Sequence, residues 1–286
     1  MIIDSHCHTW RIWPVDSPPA PDRESRGIVE QLIHEMDVHG IDQAAIVCAR
    51  VAHNPDNNDY VAEAVRKYPS RLHQLADVDC FWSETYQKPG GAQRLAEATG
   101  KYKLKGFTHY FREDDDGSWM LSKEGLAFFA MAEKLNLIAS LYVMPRIQAQ
   151  LREVAERFPG VPFLVHHMGW AKANEPPPHP LFNEILASSR LPNIYVKLSG
   201  FHYASPTPGE YPFPDCRWIV RGLYEHFGPD RLCWGSDYPM SRFYLTYGQT
   251  LEAVRIHCDF IAKGDLPKLL GENLHRLLAE REKPRG

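Results

Sequence analysis

Ile2-Ile3-Asp4-Ser5-His6-Cys7-His8 is a short β-branched run that ends in two histidines. Residues two apart in an extended strand share a face, so His6 and His8 project to the same side with ring nitrogens free for one cation or for local hydrogen bonds. The same form, an apolar run closed by a polar residue, recurs along the chain. Strands are predicted at 2–5, 43–49, 73–78, 104–109, 138–143, 162–167, 194–198 and 232–236. Between them lie stretches of helical period at 27–39, 59–68, 93–99, 123–135, 147–158, 181–186, 215–227 and 246–261, and 265–278 reads as a closing helical segment. Eight strands each followed by a helix, in 286 residues, predict an α/β fold of the (β/α)8 TIM-barrel type, a single domain over 1–286. An open doubly wound sheet is the alternative. No glycine-rich phosphate loop follows any of these runs, so the usual nucleotide fingerprints of the open sheet are missing.

In a barrel the C-terminal ends of the strands converge on one face, which brings together His6, His8, Arg50, His109, His166, His167, Ser199 and Asp237. A catalytic metal needs three or four protein donors and an open position, so two histidines alone hold nothing. Further donors are available in Val165-His166-His167-Met168-Gly169 on strand six and Gly235-Ser236-Asp237-Tyr238-Pro239 on strand eight. Strands eight and one are neighbours in a closed barrel, so Asp237 falls beside the His pair, as a metal ligand, a proton acceptor or both. A plain turn or helix cap is the competing reading of Asp237, and a supporting core imidazole is the preferred reading of His166. Three proline-rich loops, 13–21, 174–180 and 205–214, follow strands and are long for such connections, as lids and binding loops often are.

Composition narrows the class. With 32 Lys+Arg against 36 Asp+Glu the net charge is −4, and the most basic stretch is the tail at 281–285, so no footprint for nucleic acid or an anionic membrane is present. The six cysteines are scattered without a CxxC pair and sit in apolar runs, which predicts reduced, buried thiols. Neither a basic and apolar leader nor a membrane-spanning run is legible, and a cytoplasmic location is expected.

IDSHCHTW at the start, VHHMGW on strand six, YVKLSG on strand seven, RLCWGSDYP on strand eight and LGENLHRLL near the end together resemble the amidohydrolase superfamily, in its amidohydrolase-2 branch. The resemblance implies a distorted (β/α)8 barrel with metal ligands His6, His8, His167 and Asp237, of which His167 and Asp237 are also catalytic. Strand five runs Ile138-Ala139-Ser140-Leu141-Tyr142-Val143-Met144-Pro145, without the His that decarboxylases of this branch carry there. Lys105 lies at the start of strand four, where it cannot bridge two metals, and His109 at its end. The pattern is more similar to the lactonase group, which includes 2-pyrone-4,6-dicarboxylate lactonase and sugar lactonases. Some of that group work without a metal, so the resemblance implies either a divalent cation, zinc first and manganese second, or imidazole hydrogen bonds in its place.

The expected activity is therefore hydrolysis of a lactone or activated ester of a small carboxylic or sugar acid. Asp237 serves as base and then acid, and the histidines polarise the carbonyl. Metal-dependent non-oxidative decarboxylation is the second reading, and ligand binding without catalysis the third. Substrate contacts are expected from Arg50, His109, Tyr142, Trp170, Lys172, Ser199 and His202, with Arg50 suited to a substrate carboxylate. Trp10, Trp13, Trp82 and Trp170 would wall an aromatic pocket. The partner is a small molecule, and exposed loop aromatics allow a homodimer.

Overall fold

A computed structural model describes residues 1–15 and 24–281 of the chain; the loop segment 16–21 and the tail from 282 lie outside the described residues. The elements in order are β1 (Ile3–Cys7), α1 (Val29–His39), β2 (Gln43–Val47), α2 (Asn57–Lys67), β3 (Leu72–Asp77), α3 (Gly91–Tyr102), β4 (Gly106–Tyr110), α4 (Ser118–Leu121) and α5 (Lys123–Lys134). They continue with β5 (Ile138–Tyr142), α6 (Gln148–Arg157), β6 (Phe163–Val165), α7 (Pro180–Ala187), β7 (Ile194–Leu198), α8 (Phe201–Ala204), α9 (Arg217–Phe227), β8 (Leu232–Trp234), α10 (Tyr247–Arg255) and α11 (Asn273–Glu280). Each strand pairs with the next in the order β1 to β8. A parallel bridge between Cys7 and Tyr238 brings the chain beyond β8 back onto β1. All eight predicted strands are present, and the result is a (β/α)8 barrel rather than an open sheet.

Two strands are shorter than their apolar runs suggest. β6 and β8 stop at Val165 and Trp234, and the chain beyond each turns left-handed: φ is +48° at His167, +53° at Met168, +69° at Gly169 and +63° at Trp170, and +57° at Asp237. Such values cost non-glycine residues roughly 1–2 kcal/mol apiece, so packing around these turns must hold them. The predicted helix at 246–261 ends at Arg255, and the closing segment is a π turn, Lys268–Glu272, that runs into α11.

Period-two alternation sorts the strand side chains into two layers. Outward residues such as Phe107, Leu141, Val165 and Val196 join the core under the helices, with Phe128, Leu151 and Leu223. Inward residues at the bottom, Ile3, Leu75, Ile138 and Leu164, pack with Leu274 and Leu277 of α11, which plugs that end. Gly235 follows β8 where a Cβ would stand 2.8 Å from His6 Cβ; only glycine lets β8 lie against the His pair. All six cysteines are buried and free, as their apolar surroundings predict. No helix among the described residues is long and apolar enough to cross a membrane.

Candidate active site

The barrel seam is where the chemistry gathers. Asp237 N–H donates to His6 O at 2.7 Å and His8 N–H to Tyr238 O at 2.6 Å, so the two strand ends that carry the donors are tied main chain to main chain. Asp237, 1% exposed, places Oδ1 at 3.6 Å from His6 Nε2, 3.5 Å from His8 Nε2 and 3.8 Å from His167 Nε2. His6 Nε2 and His8 Nε2 are 3.2 Å apart. A tetrahedral ion with bonds of ~2.0–2.1 Å has ligand-to-ligand edges of about 3.4 Å, so His6, His8 and Asp237 lie close enough together to share one divalent cation, and His167 stands beside the same carboxylate oxygen. The other carboxylate oxygen, Oδ2, is buried without a hydrogen-bond partner and faces His202 Nε2 at 3.5 Å.

Each imidazole is aimed by a neighbour. His8 Nδ1 lies 2.7 Å from Val47 O; a carbonyl only accepts, so Nδ1 carries the proton and Nε2 turns its lone pair toward Asp237. His167 Nδ1 meets Ser199 Oγ at 3.0 Å. Gly200, at φ +69°, follows Ser199 at a point where a Cβ would come 2.8 Å from His167 Nδ1. His6 Nδ1 meets Lys197 Nζ at 3.2 Å, and that amine also donates to Ser140 Oγ at 2.7 Å. His166 Nε2 bonds the same hydroxyl at 2.7 Å, so His166 belongs to this polar floor, in line with its reading as a supporting imidazole. Asp4 does not touch an imidazole ring: its carboxylate accepts from His6 N–H, Ser236 N–H and Tyr247 O–H and so shapes the backbone beneath the donors.

Burial sets the protonation states. It pushes His6 and His166 well down, helped by Lys197, and lowers His167 to about 3. Lys197 itself falls to about 7 through burial. For Asp237 burial acts upward, but the surrounding His167, His8 and His202 outweigh it and hold the carboxyl below its ordinary value. Asp237 is thus an ionised carboxylate, and burial favours the neutral form of His6 and His167, the states in which both kinds of group bind cations.

Above this cluster opens a pocket of about 310 Å³. Its wall is a run of ring contacts: Trp82 to Tyr110 at 4.9 Å, Tyr110 to Tyr142 at 5.1 Å, Tyr142 to Trp170 at 4.8 Å and Trp170 to Tyr203 at 5.1 Å. Trp10 stacks on His8 from the opposite side at 5.1 Å. Trp13 lies behind Trp10, 1% exposed and off the lining.

The structure thus brings His6, His8, His167, Asp237, Tyr142, Trp170 and His202 together, and Ser199 serves as the partner of His167. It places three expected substrate contacts elsewhere. His109 points outward under the helices, stacked on Trp119 at 5.1 Å, because alternation along β4 turns Tyr110 inward instead. Arg50 donates from Nε to Pro55 O and lines a separate crevice of about 710 Å³ beyond Trp82. Lys172 donates to Tyr203 O at 2.7 Å, outside the pocket. The loops at 174–180 and 205–214 supply none of the lining; of the first loop, Pro14 and Val15 do. Sequence reading missed Lys197, Ser140, Tyr110, Tyr203 and Met240. A lysine inside the apolar strand Ile194-Tyr195-Val196-Lys197-Leu198 was the available signal, since a charge there faces either core or barrel interior.

Known proteins share this architecture. The L-fucono-1,5-lactonase of Burkholderia ambifaria is 30% identical over 148 residues, which span about half of each protein, 48% of this chain and 48% of the relative. A crystal structure of an amidohydrolase from Burkholderia multivorans with bound zinc superposes with a TM-score of 0.79 at 21% identity, over 98% of this chain and 99% of that one. A probable 2-pyrone-4,6-dicarboxylic acid hydrolase from Acinetobacter baumannii, with citric acid bound, gives 0.75 at 19% identity, over 97% and 99%. The Amidohydrolase family model (Amidohydro_2) matches residues 3–279. A barrel with its histidines and aspartate at the β1–β8 seam, matched by that model over nearly the whole length, makes this chain an enzyme of the amidohydrolase family.

Proposed function

We propose that the chain, acting as one domain over 1–286, is a lactonase that hydrolyses a lactone or a comparably activated ester of a small carboxylic or sugar acid. The observation that carries this is the buried Asp237 carboxylate, with Oδ1 facing three imidazole Nε2 atoms at 3.5–3.8 Å and Oδ2 free of hydrogen bonds. The lactonase relative supports the choice of bond. His6, His8 and Asp237 Oδ1, which lie within reach of one ion, would hold a divalent cation together with His167, and zinc is the choice on this reading because the Burkholderia multivorans amidohydrolase has zinc bound. Bound there, it supplies Lewis acidity to the substrate carbonyl and acidity to water.

The chain's own residues do the rest. Asp237 Oδ2 takes a proton from the attacking water as the water oxygen bonds to the carbonyl carbon. The ring C–O bond then breaks, and Asp237 returns that proton to the departing alkoxide oxygen. Its lowered proton affinity keeps it ionised at neutral pH, ready to accept. The aromatic wall excludes bulk water and holds the ring flat. Decarboxylation is the weaker reading, since the inward positions of β5 near its end are Ser140 and Tyr142 and no His stands there.

The test is acid release, followed by pH indicator, from a panel of lactones with zinc-loaded and chelated protein, alongside carbon dioxide release from aromatic acids. Lactone turnover that Asp237→Asn abolishes supports the proposal; carbon dioxide release without lactone turnover overturns it.

A further inference from the structure

The walls of the catalytic pocket carry no lysine or arginine side chain among the described residues. Among the described residues, four cations near the pocket are placed outside its walls. Arg50 is held by Pro55 O in the crevice beyond Trp82. Lys172 is held by Tyr203 O and lies over the Trp170 ring at 5.3 Å. Lys197 is fully buried beneath His6. Arg112 lies over the Tyr86 ring at 5.3 Å and lines an adjoining cavity of about 550 Å³, where Glu113 and Asp114 outnumber it. That cavity shares Trp82, Tyr110 and Tyr142 with the catalytic pocket, so a substrate that reaches outward meets a net negative rim.

From this arrangement we infer that the substrate is an uncharged ring lactone that presents flat apolar faces to the walls, and that carboxylate-bearing lactones are excluded. The inference rests on the lactonase reading and deepens it. A carboxylate on the ring would lose its water against Trp10, Val51 and Trp170 with no guanidinium or ammonium to replace it, and an unpaired buried charge is strongly disfavoured. A ring without charge loses little water there, and its faces stack on Tyr142 and Trp170. The only carboxylate then appears at the reacting carbon on ring opening. On this inference Arg50, which lines the separate crevice, meets no substrate carboxylate.

The experiment compares dihydrocoumarin with dihydrocoumarin-4-carboxylate as substrates of the zinc-loaded protein. The matching lactams, dihydroquinolinone and its 4-carboxylate, serve as non-hydrolysed probes of binding by calorimetry. A kcat/KM ratio of at least about 30 in favour of the uncharged lactone is expected, and a smaller or inverted ratio overturns the inference while leaving lactonase activity established. If neither lactone is hydrolysed but the uncharged lactam binds at least about 30-fold tighter than the acid, the lactonase reading falls and the uncharged pocket stands. Absence of both turnover and lactam binding overturns both. Val51→Arg places a cation on the wall and should raise affinity for the carboxylated lactam at least about tenfold; unchanged affinity in a folded variant shows that the missing cation is not what excludes it.

Discussion

His8 and His109 stand at comparable places on two strands of one barrel, and they have opposite fates. Both are buried, and both meet a main-chain carbonyl of a neighbouring strand end through Nδ1, His8 at Val47 O of β2, the next strand, and His109 at Val78 O just past β3, the preceding one, 2.7 and 3.0 Å away. His8 Nε2 faces Asp237; His109 Nε2 has no partner and sits among Phe111, Trp119 and Phe128. The local hydrogen bond is the same, so it is not what makes a ligand. What differs is parity: His8 projects to the axis and His109 to the helices, and a shift of one residue exchanges those two environments.

That contrast can be broken at several points. The largest effect is expected at the residue His8 faces: Asp237→Asn should lower kcat/KM for the identified lactone about a thousandfold with the fold intact by circular dichroism, and near-native turnover would remove Asp237 from the chemistry. Next, His8→Gln should cost roughly a hundredfold and lower the zinc content measured by elemental analysis, whereas His109→Gln should stay within about threefold with full zinc. Equal losses in the two variants would collapse the comparison.

A third effect is thermodynamic. His6, His166 and His167 have folded pKa values below the unfolded value, so the unfolded chain takes up protons first as pH falls. Their contribution is intact above about pH 6.5 and is lost as pH drops toward the folded values, about 2–3 kcal/mol per fully depressed histidine by pH ~4.5. Tm measured from pH 7 to 4.5 should fall steadily, and less steeply in His166→Gln. A flat profile would mean these imidazoles are charged in the native state. Smaller still, Ser199→Ala should lower kcat about tenfold through misalignment of His167, with recovery in Ser199→Thr. Smallest is Arg50→Ala, within about threefold in kcat/KM, since its guanidinium serves the separate crevice.

The barrel was legible because each strand is a short apolar run closed by a polar residue, and the donors His6, His8, His167 and Asp237 were legible because they close such runs. The backbone that aims two of them was not. Asp237 and His167 lie in left-handed turns after strands that stop early, and apolar runs continue past those points without marking the turn. The aromatic wall was half visible: Tyr142 and Trp170 were expected, Tyr110 was hidden behind its neighbour His109, and Tyr203 gave no pattern.

By itself the sequence determined the eight-strand order, the candidate positions His6, His8, His167 and Asp237 at strand ends, and the absence of a strand-five histidine, because residue type and spacing along a strand are local properties. Tertiary structure alone decided which strand-end side chains meet. Ring closure joins Cys7 to Tyr238, more than 200 positions apart and beyond the reach of local periodicity. Facing parity then sends Tyr110 to the pocket and His109 to the core, and Arg50 lies outside that pocket.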